Sequence, residues 1–266
     1  MSWLHCMWGI GAATGPYIMG YTLSGGFNWN NGYRIISIIQ IALTVLLFLS
    51  LPLWKKRTCE QNSNNTEERK PLSLPEVLKI RGAKEVLICF FCYCALEQTT
   101  GLWASSFLNL YKGIPAETAA KFGAMFYIGI TAGRAVSGFL TFKLSDIKMI
   151  RLGQALIAAG IIITLLPLNA HIALAGLILI GLGCAPVYPS IIHSTPTHFG
   201  KDKSQAVTGV QMAFAYSGTL CMPPLFGIIA YKINTGILPV YLTALLILMI
   251  FMHERLCKIS EKRCIS

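Results

Sequence analysis

Residues 35–54 read IISIIQIALTVLLFLSLPLW, a run of twenty positions without a charged side chain. An α-helix rises about 1.5 Å per residue, so roughly 20 apolar residues cross the hydrocarbon core of a bilayer. Comparable runs recur along the chain, and they are continuous rather than the roughly ten-residue alternations of a membrane β-barrel. The sequence therefore predicts an all-α polytopic membrane protein.

The composition agrees with this interpretation. Hydrophobic residues make up 54% of the 266 residues and charged residues only 12%, whereas about a quarter of a soluble domain is charged. The net charge of +11 does not indicate a nucleic-acid partner, because the basic residues lie between apolar runs rather than on one soluble face. The nine cysteines are an odd number and lie mostly in apolar segments, so we expect packing thiols, no disulfide framework, no metal site and no cofactor.

Hydropathy windows of about nineteen residues predict eight transmembrane helices. The predicted spans are residues 3–24, 33–54, 86–110, 120–141, 150–168, 171–195, 205–230 and 235–253. An even number of spans places both termini on the same side of the membrane.

The loops between these spans alternate in charge. One side holds 17 basic residues, namely Lys55, Lys56, Arg57, Arg69, Lys70, Lys79, Arg81, Lys84, Lys143, Lys148, Arg151, Lys201, Lys203, Arg255, Lys258, Lys262 and Arg263. The other side holds four, namely Arg34, Lys112, Lys121 and Lys232. The positive-inside rule therefore supports eight spans and predicts that both termini are cytoplasmic, and we expect a bacterial inner membrane.

Every third predicted span is apolar nearly all round, as lipid-facing helices are. Triplets of helices are typical of secondary transporters. Counted in threes from the C-terminus, the chain divides into two helices of an N-terminal half (1–54), a polar, mobile cytoplasmic linker (55–84), a six-helix C-terminal half (85–254) and a cytoplasmic tail (255–266). We then expect four further helices upstream of Met1.

A Gly-x4-Pro-x3-Gly pattern occurs twice, at residues 11–20 and at residues 218–227. Both copies lie in the second helix of a predicted triplet, which favours an internal repeat. Small residues allow close helix packing, and proline allows a kink. We expect these roles at Gly11, Gly15, Pro16, Gly20 and Pro223.

Four stretches carry a family resemblance: LHCMWGIGAATGP (4–16), GRAVSGFL (133–140), GCAPVYPS (183–190) and QMAFAYSGTLCMPP (211–224). They resemble the major facilitator superfamily, near its fucose-permease-like branch. The resemblance implies helices five to twelve of a twelve-helix bundle that here lacks the first four. The sequence departs from the family at Phe142, where the family's loop motif has Asp, and it lacks the two helices that carry the branch's protonatable carboxylates.

Glu97 and Arg134 are ionisable residues within predicted spans, which makes each a functional candidate because charges are costly in a bilayer. Counting from Glu85 and Lys143 places both roughly 14 to 18 Å from the same boundary, on consecutive antiparallel helices. One interpretation is a carboxylate that binds protons or solute while the arginine balances its charge. The alternative is a structural ion pair.

Residues 97–103, EQTTGLW, combine amide, hydroxyl and indole groups. The stretch resembles the glutamine-rich part of the seventh helix of sugar porters, which implies a sugar-type substrate, and the alternative is polar contact between helices. The predicted cavity residues are Glu97, Gln98, Trp103, Tyr188, Gln211 and Tyr216.

Pro186 and Pro189 predict a broken sixth span, tolerated only beside protein or a water-filled cavity. His193 lies near the end of this span and is either a proton relay or an interfacial residue. The predicted ion-coupling residues are therefore Glu97, Arg134 and His193.

These observations predict secondary active transport of a small polar solute, a sugar or similar compound, by alternating access and with proton coupling. The partners are the lipid bilayer, the solute and protons, with the missing helices on a separate chain as a further option. A membrane fragment or accessory subunit that does not transport is the main alternative. An intramembrane enzyme is not predicted, because the sequence has no HExxH motif and no aspartate within a span.

Overall fold

The computed structural model describes residues 28–62, 72–166 and 170–265, together with isolated positions before residue 28. Within these residues the structure is helical and contains no strand, which confirms the all-α prediction. The helices are α1 (Trp29–Asn62), α2 (Leu74–Lys79), α3 (Ala83–Leu110), α4 (Ala116–Leu140), α5 (Asp146–Leu165), α6 (Ala170–Phe199), α7 (Lys201–Lys232) and α8 (Leu238–Ile265), and a 3-10 turn covers Thr235–Ile237. Most of the predicted first span, 3–24, lies outside the described residues.

The chain divides into two compact units. Helix α1 belongs to the unit Gly11–Pro71, and helices α2 to α8 belong to the other. The predicted linker 55–84 is partly helical, since α1 continues to Asn62 and α2 forms within it. Helix α2 has a local cause: Pro75 lies in its first turn, and the Ser73 backbone N–H donates to the Glu76 carboxylate over 2.7 Å.

Six of the described helices are long and apolar enough to cross a membrane: α1, α3, α5, α6, α7 and α8. Helix α4, predicted as the span 120–141, has 25 residues and is therefore long enough. It is not among the six, and it contains Arg134. The structure thus has a helix at every predicted span from residue 33 onward.

Helices α3 and α6 form the centre of the larger unit, with 61% of the apolar part of each buried. Phe90, Tyr93 and Leu96 on α3 are fully buried. Helix α7 is 22% buried within the described structure, and α5 and α8 are 44% and 33% buried. The assignment of every third helix to the lipid-facing side stays a prediction.

Glycines bring α6 close to its neighbours. A Cβ atom at Gly153 on α5 would lie 2.5 Å from the Gly183 carbonyl oxygen on α6, and one at Gly129 on α4 would lie 2.5 Å from the Ile178 carbonyl oxygen. Backbones in such contact tolerate no larger residue. The same packing explains a wrong prediction: α6 continues as a helix through Pro186 and Pro189, both buried, and does not break.

Candidate functional site

A cavity of about 280 Å³ lies between α3, α4, α6 and α7 in the larger unit. Its lining residues are Cys94, Glu97, Gln98, Arg134, Tyr188, Met212, Ala215, Tyr216 and Thr219. The volume is close to the lower limit of typical small-molecule sites, about 300 Å³. The wall combines a carboxylate, a guanidinium, an amide and two phenols with thiol, thioether and methyl groups, a mixture that suits a small polar solute.

Glu97 and Arg134 meet at this cavity. Arg134 Nη2 lies 3.6 Å from Glu97 Oε1, and the side chains are only 4% and 15% exposed. The predicted shared depth of these two residues is therefore confirmed. Two opposite charges removed from water together are far less costly than either alone, so the pair makes both tolerable within the bundle.

A third residue, Tyr93, holds the other oxygen of the Glu97 carboxyl group. The Tyr93 hydroxyl contacts Glu97 Oε2 and lies 3.0 Å from the backbone carbonyl oxygen of Cys184 on α6. Its ring is fully buried and stacks on Phe90 with ring centroids 6.3 Å apart. Sequence reasoning missed Tyr93, although its position four residues before Glu97 places it on the same helix face.

Five of the predicted site residues line the cavity together: Glu97, Gln98, Arg134, Tyr188 and Tyr216. The hydroxyl of Tyr188 donates to the Met212 sulfur over 3.5 Å, which connects α6 to α7 across the cavity wall. Tyr216 is 65% exposed and lies at the open side.

Two predicted cavity residues lie elsewhere. The Trp103 indole N–H donates to the Pro223 carbonyl oxygen over 3.1 Å, and the ring packs against Gly227 and Phe226. Gln211 is fully buried and accepts a hydrogen bond from Thr195 over 3.1 Å between α7 and α6. Neither residue lines the cavity, and both connect helices.

His193 is also remote from the cavity lining. Its side chain is 70% exposed, and its Nδ1 lies 2.8 Å from Asp146 Oδ2 at the start of α5. The structure thus places it at the end of the bundle, as the interfacial interpretation expects, and its role in coupling stays a prediction.

The four lining residues that the prediction lacked are Cys94, Met212, Ala215 and Thr219. A signal for them was present in the sequence. Met212, Ala215, Tyr216 and Thr219 follow the i, i+3, i+4, i+7 spacing of one helix face. Cys94 lies three residues before Glu97 and shares its face in the same way.

The predicted packing glycines and prolines divide into two groups. In the second copy of the repeat, Gly218 lies against the α3 backbone, where a Cβ atom would be 2.6 Å from the Phe91 carbonyl oxygen. In the first copy, Cβ atoms at Gly11 and Gly15 would meet no heavy atom of the described residues within 4 Å. Pro16 and Gly20 lie outside those residues, so the repeat stays a prediction.

Within the described ranges, no three His, Cys, Asp or Glu side chains are grouped so that they could hold a metal ion.

Comparison with known proteins gives the family. The family model for the Major Facilitator Superfamily matches residues 1–223. The chain belongs to the major facilitator superfamily. Membership of this transporter superfamily favours a transporter over an enzyme.

Curated relatives are distant and longer. An uncharacterized MFS-type transporter of Yersinia pestis is 25% identical over 232 residues, which cover 86% of this chain and 56% of the relative. Bypass of stop codon protein 6 of Saccharomyces cerevisiae is 26% identical over 162 residues, covering 53% of this chain and 32% of that protein. The chain therefore spans about half the length, or less, of these members of the superfamily.

Solved structures of the superfamily share the fold. The MFS transporter FucP in its outward conformation matches with a TM-score of 0.64 at 16% identity, covering 85% of this chain and 54% of FucP. A structure of the E. coli fucose:proton symporter FucP matches with a TM-score of 0.60 at 16% identity, covering 72% and 47%. At this identity the match establishes the fold alone.

Proposed function

We propose that this protein serves secondary active transport of a small polar solute, with the cavity beside Glu97 as the solute site. The observation that carries the proposal is the ion pair of Glu97 and Arg134 at a cavity wall between apolar helices. A buried pair contributes little net stability compared with apolar residues of similar volume. An ionisable pair that faces a cavity within membrane-spanning segments is therefore a candidate for binding.

The lining favours a hydroxyl-rich solute such as a sugar. Gln98 offers an amide with both donors and acceptors, and Tyr188 and Tyr216 offer hydroxyls and ring faces. The name of the structural neighbour, fucose:proton symporter, agrees with a sugar substrate and with protons as the coupling ion. Protonation of Glu97 is the simplest coupling step, because it would release Arg134 from the ion pair.

The basic loops support one orientation. Of the 22 Lys and Arg residues, 17 fall on one side of the predicted spans, so this side faces the cytoplasm together with both termini. Fusion of a reporter to the C-terminus tests this. Green fluorescent protein is expected to fluoresce there, and alkaline phosphatase activity at the same position would contradict the orientation.

Uptake by the purified chain in proteoliposomes tests the function. A panel of labelled sugars is offered under an imposed pH gradient, and we expect accumulation of at least one sugar by the wild type and loss of gradient-driven accumulation by Glu97→Gln. The matched control is Glu85→Gln, since Glu85 pairs with Arg255 over 3.1 Å and does not line the cavity. Accumulation by Glu97→Gln equal to that of wild type would show that the carboxyl group is not required.

One observation favours a second candidate function. Alternating access needs two halves about a central site, and this chain spans about half of its relatives. A binding subunit without transport activity would bind the sugar in detergent, with an affinity lowered by Glu97→Gln, but would not accumulate it in proteoliposomes.

A further inference from the structure

We propose that Tyr93 is a positioning residue that transmits the protonation state of Glu97 to helix α6 through the Cys184 carbonyl group. This inference rests on the proposed function, in which Glu97 gains and loses a proton. Tyr93 is the residue that joins the two groups, because its single hydroxyl contacts Glu97 Oε2 and lies 3.0 Å from the Cys184 oxygen.

The number of hydrogens that each group can donate decides the direction of these bonds. A phenol has one hydrogen to donate, and an ionised carboxylate accepts but does not donate. With Glu97 ionised, Tyr93 donates to the carboxylate, because charge-assisted hydrogen bonds are the stronger ones. The Cys184 carbonyl oxygen then receives no hydrogen from Tyr93.

Protonation of Glu97 reverses the direction of the hydrogen bonds that Tyr93 makes. The carboxylic acid donates its new hydrogen to the Tyr93 oxygen, and the Tyr93 hydrogen turns toward the Cys184 oxygen 3.0 Å away. One proton enters, and the hydroxyl rotates without breaking a covalent bond. The Tyr93 ring is fully buried, so water is poorly placed to replace either partner.

The acceptor lies at a special place in α6. Cys184 comes two residues before Pro186 and five before Pro189, and a proline cannot donate the backbone hydrogen bond that a helix expects. This part of α6 therefore lacks two of its internal hydrogen bonds. A new bond from α3 to the Cys184 carbonyl group strengthens the contact of α3 with α6 in the part of α6 where Pro186 and Pro189 remove two backbone donors.

The same protonation weakens the contact of α3 with α4. Ionised Glu97 attracts Arg134 on α4, at 3.6 Å, and neutral Glu97 attracts it less. Glu97 thus exchanges an electrostatic contact with α4 for a hydrogen bond to α6. By this exchange, one proton weakens the contact of α3 with α4 and strengthens the contact of α3 with α6. All three helices line the cavity.

Other ionisable groups around Glu97 come from all four helices of the cavity. They are Tyr93 and Cys94 on α3, Tyr127 and Arg134 on α4, Cys184 and Tyr188 on α6, and Tyr216 on α7. Arg134 is the permanently charged member among these described groups. The ionic partner of Glu97 is therefore Arg134, and Tyr93 is the neutral group that can both donate to the carboxyl group and accept from it through a contact already formed.

Infrared difference spectroscopy of the full chain in lipid, titrated with acid, tests the inference. Glu97→Gln assigns the carboxyl C=O band that appears on protonation. In Tyr93→Phe we expect this band to change frequency and its pH midpoint to rise by about one unit, a tenfold effect, because the ionised form has lost a charge-assisted hydrogen bond. An unchanged band and midpoint in Tyr93→Phe would overturn the inference.

A matched control is Tyr241→Phe, since the Tyr241 hydroxyl also donates to a backbone carbonyl oxygen, that of Met222 over 3.0 Å, but not at the cavity. This variant is expected to leave the midpoint unchanged, and an equal shift would show a general structural effect.

Wild-type protein provides a second measurement that does not depend on the folding of Tyr93→Phe. A tyrosine ring C–O band is expected to change at the same pH as the Glu97 band and to stay constant in Glu97→Gln. A constant tyrosine band in wild type would overturn the inference even if Glu97 titrates. If wild type shows no band that Glu97→Gln removes, Glu97 does not titrate, and the proposed proton coupling itself fails.

Discussion

Gly153→Ala tests the close packing of α5 on α6 that holds the centre of the unit together. The added Cβ atom would lie 2.5 Å from the Gly183 carbonyl oxygen, 2.6 Å from Val187 Cγ2 and 3.2 Å from Pro186 Cγ. The Val187 methyl group can rotate away, but the carbonyl oxygen belongs to the backbone. Contact near 3.5 Å then requires the two helices to separate by about 1 Å.

Overpacking of a protein core lowers the free energy of unfolding by about 1 to 3 kcal/mol, and we expect a loss of this size in Gly153→Ala. Alanine is also a better helix former than glycine by up to about 1 kcal/mol, and this gain must be removed from the comparison. Gly209→Ala on α7 provides the correction, because a Cβ atom at Gly209 meets no heavy atom of the described chain within 4 Å. We expect Gly153→Ala to be less stable than Gly209→Ala by about 1 to 3 kcal/mol.

The assay is reversible unfolding of the purified protein in mixed micelles, followed by tryptophan fluorescence. Gly153→Ala should unfold at a lower denaturant fraction than wild type, and Gly209→Ala at the same fraction or a higher one. Equal midpoints for the two variants would refute the reasoning, since they would show that α5 and α6 are not in backbone contact at Gly153.

Three further predictions concern residues outside the cavity. Trp103→Phe is expected to lower the free energy of unfolding by about 1 kcal/mol, through loss of the 3.1 Å hydrogen bond to Pro223, without changing the solute dissociation constant; a weakened affinity would show that Trp103 binds solute. His193→Asn separates the two interpretations of this residue: an interfacial His193 leaves the pH profile of uptake unchanged, as its 70% exposure favours, and a shifted profile would support the predicted role in coupling. The hydrogen bond from the Ser73 N–H holds the pKa of Glu76 below its usual value, so its capping of α2 is present at neutral pH and is lost as pH falls through that pKa. The protection of the Ser73 amide, taken as its exchange rate relative to that of an unstructured peptide at the same pH, is expected to fall in acid, and constant protection would contradict this.

Hydrophobic runs and loop charges were sufficient to predict the helices from residue 33 onward and the meeting of Glu97 with Arg134. Both predictions follow from the constant rise of a helix, which converts a residue count into depth. The pairing needed only the assumption that consecutive helices are antiparallel. The ion pair at 3.6 Å confirms that the residue counts place Glu97 and Arg134 at the same depth.

Contacts between helices distant in sequence could not be predicted in the same way. Tyr93 lies in the apolar stretch CFFCYCAL, where local sequence does not distinguish a phenol from the other core residues, and its role depends on a carbonyl oxygen 91 positions later. The unbroken α6 has a similar cause, because Pro186 packs against Gly153 of α5 and both Pro186 and Pro189 are buried. Tertiary packing determines both features, and prediction from the neighbouring sequence alone does not include contacts between distant helices.

The dissociation constant of the transported sugar, measured as a function of pH for wild type, Glu97→Gln and Glu85→Gln, tests the central claim most directly. If the cavity beside Glu97 is the solute and proton site, the affinity of wild type and Glu85→Gln changes with pH and that of Glu97→Gln does not. The same pH dependence in all three proteins would contradict the account, because the coupled carboxyl group would then lie elsewhere.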